Sequence, residues 1–242
     1  MHAPTSAFMR RIWDDSSVTS DFAAESPRGR VVRFPLADLA EQVEAFAARW
    51  PQAIADRRGL VFCGEAGARL RVPLLAPRVH VGERIEGYAR RLLPAPERHV
   101  LLLLQAGAMA VGYWDGAELL HHKAVRRYVV RGNGKAQMLH RKTKGKSRYG
   151  SRLRLQNWQR LLTETNERLC CYWHEHGAPE RVFVAVPVRA WSDWFGVDPG
   201  PPFARDDAAL QRVPMHVHRP DFAELLRVHA WLGYGRLELP TK

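Results

Sequence analysis

Residues 132–137 read Gly-Asn-Gly-Lys-Ala-Gln. Two glycines ahead of a glutamine open backbone conformations closed to other residues. The amide of Gln137 both donates and accepts hydrogen bonds, and it does not titrate near neutral pH. It can therefore hold a water or an oxyanion in place. Around it stand Lys135, Arg141, Lys142, Lys144, Lys146, Arg148, Arg152 and Arg154, all able to neutralise phosphates, with Gly132, Gly134, Gly145 and Gly150 between them. A flexible, cation-rich loop with an amide near its tip suits insertion into an RNA-walled pocket.

The charge distribution points the same way. No Asp or Glu occurs in residues 119–163, and that stretch holds thirteen Lys and Arg. The rest of the chain carries 24 basic against 25 acidic residues, so the whole net charge of +12 sits in one segment. A near-neutral protein with one basic segment indicates a polyanionic partner.

Other chemistries fail on spacing. The run Lys144-Gly145-Lys146-Ser147 resembles half of a phosphate-binding P-loop, but the glycine required five residues before Gly145 is His140. His174 and His176 are two apart on an expected helix and point in different directions, so the pair cannot share a metal. His121 and His122 alternate across an expected strand, with the same consequence. The basic segment contains no carboxylate, so neither an acid–base dyad nor a metal-dependent nuclease centre is supplied locally. Catalysis there must come from positioning, from cations, or from the substrate, and no cofactor or metal is expected. Cys63, Cys170 and Cys171 show no CxxC spacing and read as small apolar residues.

These residues need a scaffold, and the chain is long enough for one large domain or two small ones. Residues 1–30 read as poorly ordered. The spacing of Leu36, Leu39, Val43 and Phe46 predicts a helix over 36–49. Residues 59–63 and 69–75 read as a hairpin, and 82–93 as a helix. A boundary falls at Pro94 and Pro96. From there the order is strand (99–105), strand (108–114), strand (118–131), loop (132–151), helix (152–176), strand (182–186), a short helix around Trp191 and Trp194, strand (213–217), helix (220–231) and strand (235–239). The run His-Val-Leu-Leu-Leu-Leu-Gln at 99–105 marks a strand buried on both faces. The expected fold is α/β, a mixed β-sheet with helices on its faces over 97–242, beside a smaller N-terminal α+β region at 31–96. The loop at 132–151 is too long and too polar to be a core element and is expected to order only against RNA. No signal peptide or membrane-length apolar run is visible, so the expected compartment is the cytoplasm and the expected state a monomer.

The run Arg127-Tyr128-Val129-Val130-Arg131, then Gly134 to Gln137, then Gly150-Ser151 through Leu153-Arg154 to Asn157, resembles the Vms-like release factor family. The stretch 212–228 resembles that family's closing strand and helix. The family is related to the middle domain of the class-one peptide release factors of eukaryotes and archaea, where the loop carries Gly-Gly-Gln. Here Lys135 and Ala136 precede the glutamine instead. The resemblance spans about residues 98–240 and implies a release-factor-like fold, with peptidyl-tRNA, ribosomal RNA and the large ribosomal subunit as partners and no membrane. It implies Gln137, Arg131 and Tyr128 as the catalytic group.

Two chemistries fit that implication. Either Gln137 orients water onto the peptidyl ester, or the loop promotes attack of a 2′-hydroxyl on the neighbouring phosphate near the CCA end, with Arg131 and the lysines stabilising the developing charge. The alternative is a non-catalytic ribosome- or RNA-binding factor that keeps the fold. Asn157 reads as a helix-start hydrogen-bonding residue, and Trp158, Tyr172, Trp191 and Trp194 as core. If six to ten of the thirteen cations touch phosphates, RNA affinity should fall on the order of 10³–10⁵-fold between about 50 and 200 mM salt. Filter-binding or fluorescence titration across that range measures it, and a flat profile would exclude the polyanion partner.

Overall fold

The computed structural model describes residues 29–127 and 146–240, with only the backbone described at 146–151. The chain divides into two compact units, one of residues Met1–Glu97 with Arg227–Lys242, the other Arg98–Leu226.

The first unit is built on a five-stranded antiparallel sheet. Its strands are β1 (Gly29–Pro35), β2 (Ile54–Ala55), β3 (Phe62–Cys63), β4 (Arg69–Arg71) and β10 (Tyr234–Pro240), in the order β1-β10-β4-β3-β2. Helix α1 (Leu39–Arg49) follows a single 3₁₀ turn over Leu36–Asp38 and buries Leu39, Val43 and Phe46, one apolar face at helical spacing. These pack with Phe34, Phe62, Leu70, Ile85 and Tyr88. The expected hairpin is present, with Phe62 opposite Leu70 and Cys63 opposite Arg69. The helix expected over 82–93 is only α2, Ile85–Ala89. Beyond it Arg91 folds back and forms a two-pronged ion pair with Glu83, which ends the helix in a turn. The closing strand, grouped by sequence with 97–242, belongs to this first sheet. It is hydrogen-bonded to β1 along seven residue pairs and to β4 along three.

The second unit is a mixed sheet ordered β7-β6-β5-β8-β9. Strands β5 (His99–Gln105), β6 (Ala108–Asp115) and β7 (Glu118–Arg126) form an antiparallel meander. Strands β8 (Arg181–Ala185) and β9 (Leu210–Arg212) add in parallel to β5. Between β7 and β8 the chain makes α3 (Lys146–His176), and between β8 and β9 it makes α4 (Val188–Gly196). Residues 99–104 of β5 are buried without a break, as a strand covered on both faces must be. On one face Val100, Leu102, Leu104, Met109, Val111, Tyr113, Val182 and Val184 meet Leu161, Leu162, Leu169 and Tyr172 of α3 and Trp194 of α4. On the other, His99 stacks on Trp114 at 5.5 Å, and Leu225 of α5 (Phe222–Leu232) lies over Gly112. The expected mixed α/β sheet with helices on its faces is what the chain forms.

Three boundaries differ from the sequence reading. Strand β7 ends at Arg126, and 128–131 lie outside the described residues. Helix α3 begins at Lys146 rather than 152, so the last six residues of the expected loop are helical. Gly150 costs a helix interior about 1 kcal/mol relative to Ala, too little to break one of 31 residues. The strand expected over 213–217 is instead Leu210–Arg212, although Val213 and Val217 are buried. Pro214 has no N–H to continue the ladder, and the pairing stops after the Val213 N–H bonds the carbonyl of Val184.

One buried polar contact fixes α4 to α3. Asn166 is fully buried, accepts from the indole Nε1 of Trp194 at 2.6 Å and donates to the carbonyl of Pro199 at 2.8 Å. Asn166→Ala leaves the buried indole N–H of Trp194 without its acceptor. It should destabilise by on the order of 2 kcal/mol, seen as a lower urea midpoint at unchanged slope.

Candidate functional site

The basic segment hangs between two described anchors, Arg127 after β7 and Lys146 at the start of α3. Tyr128, Arg131, Gly132, Gly134, Lys135, Gln137, Arg141, Lys142, Lys144 and Gly145 lie outside the described residues, as do residues 1–28 of the stretch expected to be poorly ordered. Lys146, Arg148 and Gly150 fall in the first turns of α3. Arg152 is exposed and Arg154 half-buried on the turns that follow.

The sequence places these cations unusually. A helix N-terminus carries a partial positive charge, so acidic residues are favoured in its first turn. Helix α3 has none there, and the first acid along it is Glu164. Each added cation is therefore unfavourable by up to about 1 kcal/mol unless an anion sits opposite. The backbone N–H groups that any helix start leaves unpaired, the helix dipole and the basic sequence all favour phosphate at this end.

The β7 anchor is held at its edge of the sheet. The backbone N–H of Arg127 bonds the carbonyl of Gly107 at 2.8 Å, just past the β7–β6 ladder. Its guanidinium reaches Glu164 of α3 at 2.6 Å. Beside it Arg126 pairs with Asp221 at 2.8 Å. Asp221 in turn caps α5, accepting from the N–H of Glu224 at 2.9 Å.

Arg127 and one face of α3 line an open cavity of about 540 Å³. Gln156, Gln159, Arg160, Thr163, Glu164, Glu167 and Arg168 complete its wall. Nε of Arg127 and Nε of Arg168 are buried without a hydrogen-bond partner. Three guanidiniums against two carboxylates, one of them already paired, leave the wall positive. It has donors for phosphate and sugar oxygens and amides for base edges. Among the described residues, every side chain lining it is polar or charged.

Sequence reasoning missed this wall. Arg127 was visible only as the start of a motif, and Glu164 lies one residue beyond the acid-free stretch. A contact 37 positions apart leaves no periodic signal. The core expectations fare better, since Tyr172 and Trp194 are buried and Trp158 and Trp191 pack partly buried against the same cluster. Burial pushes the Tyr172 phenol up to about 12, so it stays neutral. At the far end of α3, away from the cavity, His121, Glu175 and His176 come together. Among the described residues no helix is long and apolar enough to cross a membrane.

A family model described as Bacteroidetes VLRF1 release factor matches residues 99–238, more than half of the chain. Among curated proteins, the chain is 35% identical over 137 residues to the protein named tRNA endonuclease ANKZF1 from Mus musculus. That match covers 55% of this chain and 18% of the mouse protein. The Homo sapiens protein of the same name is 32% identical over 137 residues, with 55% and 19% covered. The chain thus aligns with only about a fifth of the length of these relatives. A solved structure titled Vms1 mitochondrial localization core superposes with a TM-score of 0.48 at 14% identity, covering 86% of this chain and 82% of that one. The matched region takes in the whole mixed sheet, the basic segment and α3, and by that match the chain belongs to the Bacteroidetes VLRF1 release-factor family.

Proposed function

We propose that this chain is a ribosome-rescue hydrolase that frees a nascent peptide from tRNA on a stalled large ribosomal subunit, working in the cytoplasm. The observation that carries the reading is the electrostatic continuity of the site. An acid-free basic segment runs straight into the N-terminal turns of α3, and the first carboxylate beyond it, Glu164, is paired with Arg127. Membership of a release-factor family supplies the reaction class.

In this reading the cations of 135–154 grip the tRNA end and ribosomal RNA, and the cavity beside Arg127 receives part of the backbone. Gln137, with Arg131 and Tyr128 on the same segment, acts at the bond to be cut. Catalysis is then positioning and electrostatic stabilisation, for which a non-titrating amide and fixed cations suffice. Two cleavages satisfy these groups. Hydrolysis of the peptidyl ester consumes one water and leaves an intact CCA end. Attack of a 2′-hydroxyl on its own 3′-phosphate breaks the P–O5′ bond, leaving a 2′,3′-cyclic phosphate on the tRNA and a short oligonucleotide on the peptide. The name of the mammalian relatives, tRNA endonuclease, favours the second.

The test is single-turnover release from large subunits carrying peptidyl-tRNA, at saturating protein, with the tRNA 3′ end mapped. Gln137→Leu keeps similar bulk and removes the amide, and should slow release by roughly 10²–10³-fold with little change in binding. Replacing Lys142, Lys144 and Lys146 together with Ala should weaken binding and lower its salt dependence, with a smaller effect on the bound rate. A cyclic phosphate on the product identifies the endonuclease route, and an intact CCA end identifies ester hydrolysis. Binding without release by the wild-type chain would leave a ribosome- or RNA-binding factor that has kept the fold without its chemistry.

A further inference from the structure

His121 lies on β7 opposite Tyr113 of β6, and Glu175 and His176 close the last turn of α3. One nitrogen of each imidazole and one carboxylate oxygen all lie within 4.8 Å of one another. Nε2 of His121 is 3.6 Å from Oε2 of Glu175, and Nε2 of His176 is 3.7 Å from the same oxygen. Ligand atoms around a tetrahedral zinc, at bonds of about 2.0–2.1 Å, sit roughly 3.3–3.4 Å apart. The two nitrogen–oxygen separations need little closing to reach that, and the two imidazole nitrogens, within 4.8 Å of each other, need a rotamer adjustment to approach further.

The rings are held where they stand. His176 packs against Tyr113 at 5.3 Å and against His121 at 4.9 Å, and His121 stacks on Tyr172 at 5.6 Å. Nε2 of His176 is buried and has no hydrogen-bond partner, the carboxylate being too distant for one. Leaving such an atom unpaired is costly, and a metal bond would satisfy it. The C-terminal end of a helix also favours a cation, and α3 ends here, with Gly177 at φ +83°. The opposing charge is Arg98, whose guanidinium donates to the carbonyl of His176 at 2.9 Å but is itself paired with Glu180. Neither histidine doublet seen in the sequence could make this site. The strand and the helix end each contribute one histidine, and the fold brings the two together.

We propose that His121, Glu175 and His176 bind one divalent ion of the zinc type, with water in the fourth position. Two imidazoles and a single carboxylate select zinc over magnesium or calcium, which require oxygen-rich shells. The ion would clip the edge strand β7 to the C-terminal end of α3, the helix whose opposite end continues the basic segment. The site stands independently of the proposed hydrolase activity.

The experiment uses tag-free full-length protein. Zinc titration followed by calorimetry should saturate at one equivalent. A hundredfold excess over Kd should raise Tm by roughly 5–10 °C. His121→Asn and His176→Asn should each weaken binding at least tenfold, and Glu175→Gln should do the same from an exposed position on the helix. His174→Asn, two residues from His176 and outside the cluster, should bind as the wild type does. Cobalt(II) in place of zinc should give a tetrahedral visible spectrum without a thiolate charge-transfer band. Unsaturable binding, wild-type affinity in the three cluster variants, or a thiolate band showing that the metal sits on cysteine would each overturn the assignment.

Discussion

Strand β5 has no polar face. Its six residues from His99 to Leu104 are buried, and this single constraint sets much of the second unit. A strand with two apolar faces needs a neighbour at each edge and a layer on each side. β6 returns antiparallel at one edge, β8 comes back parallel at the other, and helices lie over both faces. A parallel return requires a long crossover, because two parallel strands cannot be joined by a tight turn. Here the crossover runs from β7 to β8, and it contains both the basic segment and α3. The polar, glycine-rich stretch therefore sits in a connection that the topology obliges to be long.

That placement also solves an electrostatic problem. Thirteen like charges within 45 residues repel one another, and no core could absorb them. Of the described ones, Lys123 and Arg126 lie on the edge strand β7, Arg127 just past it, and Arg152, Arg154 and Arg160 along α3, whose far half anchors the helix. Leu161, Leu162, Leu169 and Tyr172 dock that far half on the sheet, while Arg127 and Glu164 tie the strand end to its middle. A rigid helix of about 45 Å thus separates the charged end from the packed one.

What the sequence made legible follows from what each signal depends on. The strand at 99–105 and the apolar face of α1 come from local periodicity, and both form as read. The start of α3 was misplaced because Lys, Gly and Ser at 146–151 look like loop, and only the length of the helix outweighs them. The strand at 213–217 was misread because buried Val213 and Val217 imitate a strand, while Pro214 removes the hydrogen bond that would make one. Contacts such as Arg127 with Glu164, or His121 with His176, join positions dozens of residues apart and have no local trace. Gln137 stood out for the opposite reason, since composition and order alone single out a glycine-flanked amide among cations.

The pairing of β1 with β10 has a consequence for how this fold can be connected to anything else. Gly29 stands directly opposite Pro240 across an antiparallel ladder. The start of the first strand and the end of the last therefore lie side by side, at the same corner of one sheet. A module joined directly before residue 29 and one joined directly after residue 240 would be neighbours. A short bridge between those ends would close the chain into a ring without disturbing a single strand.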